Sequence, residues 1–266
     1  MTIEYPELKE DFAFLEQAVE AAGKLALGYF GNSPSAEKKA DGTDVSEADL
    51  AVNALLEESL RGHRPDYGWL SEESVDEAER LGRERVWVVD PIDGTRAFLG
   101  EKPEWVVSAA LVANGEPIAA VVYNPVVKAL YKACRGQGAW KNGTPLNILN
   151  ASAPDQLPII ISNGHFKQSK LDKAYPDILR IWVNSIAYRI CLVAESQALA
   201  TISLSNKSEW DLAAAHLILS EAGGSLTTRS NEIPRYNSAN PLIESVVAAP
   251  PVDHRKILDH LKAEFS

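Results

Sequence analysis

Apolar residues recur at intervals of three and four near the start of the chain: Leu8, Phe12, Leu15, Val19, Ala22 and Ala26. This period predicts a helix over residues 7–30 with one face on a core. Residues 31–44 are polar and carry glycine, proline and serine, which predicts a loop. A second helix is expected from about residue 46 to 61. Ser46 and Asp49 are spaced there as a capping box, with Val45 and Leu50 as a hydrophobic staple. Beyond it the pattern becomes that of strands. Residues 68–70 predict a short strand, and an acidic stretch follows over 72–85. Residues 85–90 form a β-branched apolar run too short for a helix. Strands are also expected over 105–113, 117–123 and 127–133, the first two joined by Asn114-Gly115, a hairpin signal. The first part reads as two helices and then a largely antiparallel sheet.

The pattern changes beyond about residue 150. A strand is expected over 157–162, a helix over 167–179, a short strand at 181–184, a helical stretch over 186–196 and a strand over 199–204. A helix over 209–222 is closed by Gly223-Gly224. A strand over 244–249, a Pro-Pro break and a helix over 252–264 end the chain. This predicts a layered α+β/α/β fold in two halves, 1–150 and 151–266, forming one unit without a flexible linker.

Composition narrows the chemistry. The 45% hydrophobic and 24% charged content excludes a disordered, collagen-like or coiled-coil chain. The net charge of −11 disfavours nucleic acid and anionic membranes as partners but not divalent cations. No apolar run reaches the roughly 18 residues of a membrane span, and the N-terminus lacks a signal-peptide pattern. Cys134 and Cys191 are isolated, which fits a reducing, cytoplasmic setting. The five histidines make no zinc pattern, so any metal is expected on oxygen ligands.

The densest chemistry lies in VVDPIDGT, residues 88–95. An apolar strand ends in Asp90, Pro91 removes a backbone donor, and Asp93-Gly94 makes a tight turn. Asp90 and Asp93 are expected close together, where they repel unless neutralised; Mg²⁺ suits carboxylates and the Ile92 carbonyl. The N–H groups of Gly94 and Thr95 are placed to cradle a phosphate. A capping turn is the plainer reading of such a motif. Taken locally, Glu72 and Glu73 in SEES read as a solvated face. Ser208 and Asp211 repeat the capping-box spacing of Ser46 and Asp49, so both aspartates read equally as caps and as catalytic groups.

DPIDGT (90–95) and WDLAAAHLILSEAGG (210–224) together resemble the two signatures of the inositol monophosphatase superfamily, metal-dependent, lithium-sensitive phosphomonoesterases. SEES (71–74), DGTDVSEAD (41–49) and the segment 124–143 are similar to further family motifs. The resemblance implies an αβαβα sandwich of the inositol monophosphatase and fructose-1,6-bisphosphatase type, often dimeric, hydrolysing a small phosphorylated metabolite with two or three Mg²⁺. It implies one metal site of Glu72, Asp90 and the Ile92 carbonyl, a second of Asp90, Asp93 and Asp211, and a looser third ion sharing Glu72. Gly94 and Thr95 match the phosphate-contacting turn, Asp49 the partner of the threonine, and Ser185 a small residue lining the substrate pocket. The implied nucleophile is a water activated by the metal, with Thr95 and Glu72 or Asp49 taking its proton. Four clustered carboxylates need cations in any case.

On substrate the sequence departs from inositol phosphatases proper. Leu204 stands where they commonly carry a glutamate for sugar hydroxyls. SEWD (208–211), His216 and Arg96 lean toward the 3′(2′),5′-bisphosphate nucleotidase branch, with Arg96 meeting a second phosphate and Tyr188 or Trp182 stacking on a base. The lead expectation is 3′-phosphoadenosine 5′-phosphate; inositol 1-phosphate and histidinol or sugar phosphates are the alternatives. A non-catalytic binding module is a further alternative, disfavoured because the full acid set is present.

Overall fold

The computed structural model describes residues 7–32, 34–38, 44–148 and 157–265. The apolar stripe forms α1 (Leu8–Tyr29). Where the pattern predicts a loop, β1 (Ala36–Lys38) and β2 (Asp44–Ser46) pair antiparallel; residues 39–43 lie outside the described residues. The capping box opens α2 (Glu47–His63) as expected, but Leu50 stays half exposed, so the staple adds little burial. Then follow β3 (Gly68–Ser71), a 3₁₀ turn (Ala78–Gly82), β4 (Arg85–Asp93), α3 (Thr95–Leu99), β5 (Val106–Ala113), β6 (Glu116–Asn124), β7 (Ala129–Cys134), β8 (Gly138–Lys141) and β9 (Thr144–Leu146). Strands β3 to β9 form one sheet in chain order. All neighbours are antiparallel except β3 and β4, which the crossover over residues 72–84 lets run parallel. Asn114 and Gly115, both at positive φ, make the expected hairpin turn.

The second half supplies β10 (Ile159–Ile160), α4 (Asn163–Ser169), α5 (Leu171–Ala174), β11 (Arg180–Ile181), α6 (Ile186–Ala194), β12 (Ala200–Ser203), β13 (Lys207–Ser208), α7 (Glu209–Glu221), β14 (Ser225–Thr227), β15 (Leu242–Ile243), β16 (Val246–Ala249) and α8 (Pro251–Phe265). The helix expected over 167–179 is two short ones. The Ser162 hydroxyl starts α4 early by accepting from the His165 N–H, and Lys170, at φ 49°, breaks the helix. A second sheet has the order β11-β10-β12-β16-β14, and β13 pairs with β15.

Strand alternation builds the layers. On β4, Trp87 and Val89 join a core with α1 and α2, while Val86 and Val88 face a core filled by α6 and α7. On β16, Val246 and Ala248 join that central core, and Val247 and Ala249 pack on the other side against α8. The order is helix, sheet, helix, sheet, helix, the αβαβα sandwich that the resemblance implies. The central core draws on both sides of residue 150, a boundary that itself lies outside the described residues. Among the described residues no helix is long and apolar enough to cross a membrane, and both cysteines are buried thiols.

Candidate active site

The site begins with an irregularity in β4. Asp90 pairs with Ser108 of β5, but Asp93 pairs with Val106, so β4 carries one extra residue. Residues three apart on a regular strand point to opposite faces; one inserted residue brings Asp90 and Asp93 to the same side. Pro91, which has no N–H to donate to the ladder, sits at this bulge. Gly94 closes the turn at φ 103°. A side chain there would put its Cβ 2.8 Å from the Glu104 carbonyl, so only glycine fits.

Glu72 lies just past the end of β3, and its N–H reaches the Val89 carbonyl at 3.3 Å, continuing the parallel ladder. The carboxyl ends of β3 and β4 thus bring Glu72 beside Asp90. Asp211 arrives from the opposite half, in the first turn of α7. Oxygens of Glu72, Asp90 and Asp211 lie within 4.8 Å of one another. Asp90 Oδ1 is buried with no hydrogen-bond partner. Asp93 stands beside this trio, its Oδ2 accepting from Ser185 Oγ and from the Ala187 N–H, both at 2.6 Å. Burial, then the Glu72 charge, holds Asp90 well above the usual carboxylate range. Burial also raises Asp93 against its hydrogen bonds from Ser185 and Ala187. Burial, Asp93 and Glu72 push Asp211 up to about 8. Burial and mutual repulsion disfavour their charges, which a cation would offset, and their hard oxygens fit Mg²⁺.

Asp49 stands behind the cleft. Its Oδ2 accepts from the Ser46 N–H at 2.8 Å and the Ser46 hydroxyl at 2.5 Å. Its Oδ1 lies 3.3 Å from Thr95 Oγ1, which also reaches the Ile92 carbonyl at 3.2 Å. Burial raises the Asp49 pKa. Asp49 is therefore both the cap of α2 and the partner of Thr95.

The cleft over these residues has a volume of about 330 Å³. Glu72, Asp90, Ile92, Asp93, Gly94, Thr95, Arg96 and Asp211 all line it. Two expectations need correction. Ser185 does not line the cleft; it is fully buried and anchors Asp93 while capping α6, its Oγ accepting from the Tyr188 N–H at 2.9 Å. Tyr188 is not among the lining residues either; it packs edge-on against Tyr131, because the turn of α6 points it into the central core. His216 lies inside α7 as expected, away from this cleft, bonded through Nδ1 to the Tyr236 hydroxyl at 2.8 Å.

Sequence reasoning missed Lys207, Arg189, His165 and Asn184, which also line the cleft. Arg189 is nearly buried; it donates to the Val183 and Asn184 carbonyls at 2.5 and 2.9 Å. Its guanidinium backs the half-exposed Trp182 ring at 3.9 Å, and burial lowers its pKa to about 10. A lone arginine within the apolar run AYRICLVA is the signal that such a buried, partnered group exists. Burial also lowers the Lys207 pKa. Leu204 packs into the core below the second sheet, away from the cleft, while Ser203 and Ser205 beside it line it.

Comparison with known proteins places this architecture. The inositol monophosphatase family matches residues 7–265. A 3′(2′),5′-bisphosphate nucleotidase CysQ of Salmonella typhimurium is 37% identical over 214 residues, 78% of this chain and 86% of that protein. An inositol-1-monophosphatase of Rhizobium meliloti is 34% identical over 218 residues, 78% and 81% of the two chains. The solved structure of an IMPase from Thermotoga maritima superposes with a TM-score of 0.82 at 23% identity, over 97% of this chain and 98% of that one. The chain belongs to the inositol monophosphatase family, whose members are hydrolases of phosphomonoesters.

Proposed function

We propose that the protein is a Mg²⁺-dependent phosphatase whose substrate carries a second phosphate and a planar base, with 3′-phosphoadenosine 5′-phosphate as the lead. The observation that carries this reading is a cleft that joins acids and cations: Glu72, Asp90, Asp93 and Asp211 share one 330 Å³ space with Arg96, Arg189, Lys207 and the open face of Trp182. The cations suit a second phosphate. Trp182, backed on one face by Arg189, suits a base, a stack of about 1–3 kcal/mol in single-stranded nucleic acid sites. Leu204, turned into the core, offers nothing to a sugar hydroxyl.

Glu72, Asp90, Asp93, Asp211 and the Ile92 carbonyl would hold Mg²⁺. When bound, the ions neutralise the carboxylates and make a coordinated water acidic enough to act as nucleophile at neutral pH. The chain's own groups then do the rest. Ser185 and the Ala187 N–H fix the Asp93 carboxylate in orientation. Thr95 accepts a proton from the attacking water and passes its own to Asp49 Oδ1. Ser46 holds the second Asp49 oxygen so that the first stays turned toward Thr95.

The test is phosphate release from 3′-phosphoadenosine 5′-phosphate and inositol 1-phosphate side by side, with Mg²⁺ and with chelator. Turnover should require Mg²⁺ and favour the nucleotide. Lys207→Ala should raise KM for the nucleotide by about tenfold, ~1.4 kcal/mol, and leave inositol 1-phosphate unchanged. A preference for inositol 1-phosphate keeps the metal chemistry and overturns the substrate assignment.

A further inference from the structure

The acidic cleft is not the roomiest space among the described residues that a ligand could enter. A second cleft, of about 1240 Å³, opens at the C-terminal half of α7 and is closed by β14, α8 and the turns near residues 116 and 230. Small-molecule sites usually span about 300–1,000 Å³, so it has room for a ligand with a sizeable body. Leu226, Leu258 and Leu261 give it apolar walls.

The charges around it do not cancel. Glu116 is held by Arg235 at 2.6 Å and Arg135 at 3.1 Å. Glu221 accepts from the Gly136 and Gly138 N–H groups, both at 2.9 Å. Those acids are satisfied within the fold. Arg229 lies 5.3 Å from the Phe265 ring centre and makes no ion pair among the described residues; Arg255 is exposed and also makes none. The one other acid of the lining, Asp259, shares α8 with the two lining cations Arg255 and Lys262. In a protein of net charge −11, this surface carries positive charge with no internal partner.

His216 supplies an independent observation. It is 9% exposed and lines the cleft. Its Nδ1 is bonded to the Tyr236 hydroxyl, and its Nε2 carries no bond among the described residues. Tyr236 Oη makes no other hydrogen bond among them, so it donates to Nδ1. Neutral imidazole has one N–H, which this arrangement places on Nε2. This N–H is not closed off from solvent; it opens into the cleft, where a ligand oxygen can reach it.

We propose that this cleft is a second binding site, for a small organic anion. Its phosphate or carboxylate head meets the Arg229 and Arg255 guanidiniums, its apolar body lies over Leu226, Leu258 and Leu261, and an acceptor oxygen takes the His216 Nε2–H. The proposal is independent of the substrate assigned to the acidic cleft.

The probe is 1-naphthyl phosphate, titrated calorimetrically into full-length protein kept metal-free with chelator. Without cations the acidic cleft lacks the ions that would hold a phosphate there, so binding reports the second cleft. One site is expected. Inorganic phosphate should bind at least tenfold more weakly, because it lacks the apolar body. The double variant Arg229→Glu/Arg255→Glu, at two exposed positions, should weaken the naphthyl ligand at least tenfold. Lys256→Glu, an equal charge reversal per site outside the lining, should not change binding, and neither should Lys207→Glu in the acidic cleft. Absence of binding, equal affinity for inorganic phosphate, or unchanged affinity in the double variant overturns the proposal. So does equal weakening by Lys256→Glu, which would reveal only a long-range field, or loss in Lys207→Glu, which would place the ligand in the first cleft.

Discussion

Helices α2 and α7 begin with the same local device and end in different chemistry. In both, an aspartate at the third position accepts from the backbone N–H of a capping serine: Ser46 to Asp49 at 2.8 Å, Ser208 to Asp211 at 2.9 Å. On α2 the second oxygen of Asp49 turns to Thr95, and the helix is amphipathic with an exposed face. On α7 the aspartate meets Glu72 and Asp90, and the helix is buried along nearly its whole length. A cap holds a carboxylate in place; what lies around it decides whether that carboxylate relays a proton or waits for a cation. The device alone says nothing about function, which is why local sequence rules leave both aspartates open.

The sharpest way to separate the two roles is to remove one charge and keep the cap. Asn at 211 still offers an oxygen to the Ser208 N–H but no charge to a cation. Asp211→Asn should lower kcat by about a thousandfold or more, with Tm unchanged or raised, because carboxylate repulsion is relieved. Asp49→Asn should also keep its helix start and cost about a hundredfold in kcat, the scale of losing a general base. Phosphate release and thermal melting on the same samples measure both. Near-normal turnover in Asp211→Asn would reduce that residue to the cap it resembles and remove the contrast between the helices.

The buried course of α7 carries a pH signature of its own. Burial, with Arg135 nearby, lowers the His216 pKa to about 4, against about 6.5 when unfolded. Below 6.5 the unfolded chain takes up a proton that the folded one refuses, so the stability tied to this group is fully present above pH 6.5 and lost as pH falls toward 4. The loss is about 3 kcal/mol over that window, from a shift of about two and a half pH units at 1.36 kcal/mol each. Urea midpoints measured between pH 7 and 4 should fall accordingly, and His216→Gln should flatten the profile. An equal fall in the variant would assign the acid sensitivity to other groups.

What was legible in the sequence follows the same division between local and distant causes. The stripe of Leu8, Leu15, Val19 and Ala22, the Asn114-Gly115 turn and the Gly223 stop depend on neighbours in the chain, and the structure shows each of them. So did DPIDGT as a strand end with two acids, although the bulge that turns both the same way appears only when β5 is laid alongside. Ser185 and Tyr188 were misplaced for the opposite reason. Ser185 anchors Asp93 from the far half of the chain, and Tyr188 follows the face of α6 packed against Tyr131, contacts that no spacing reveals. Lys207 was missed because a lysine in a polar loop has no pattern; only the meeting of β13 with the β4 turn makes it part of a site.

The finest test of the comparison removes the capping hydroxyls themselves. The Ser46 hydroxyl donates to Asp49 Oδ2 at 2.5 Å and also lies 3.4 Å from the Asp49 N–H. Ser46→Ala therefore removes a charge-assisted bond in a buried place and should cost about 1 kcal/mol of stability. It should also lower kcat, because Asp49 loses the grip that keeps its other oxygen on Thr95. At the start of α7 the bond that holds Asp211 comes from the Ser208 backbone N–H, which alanine retains. Ser208→Ala should accordingly cost a few tenths of a kcal/mol and leave kcat within about twofold. Equal losses from the two substitutions, in melting and in turnover alike, would mean that the hydroxyl of Ser46 only caps its helix and that Asp49 needs no help to face Thr95.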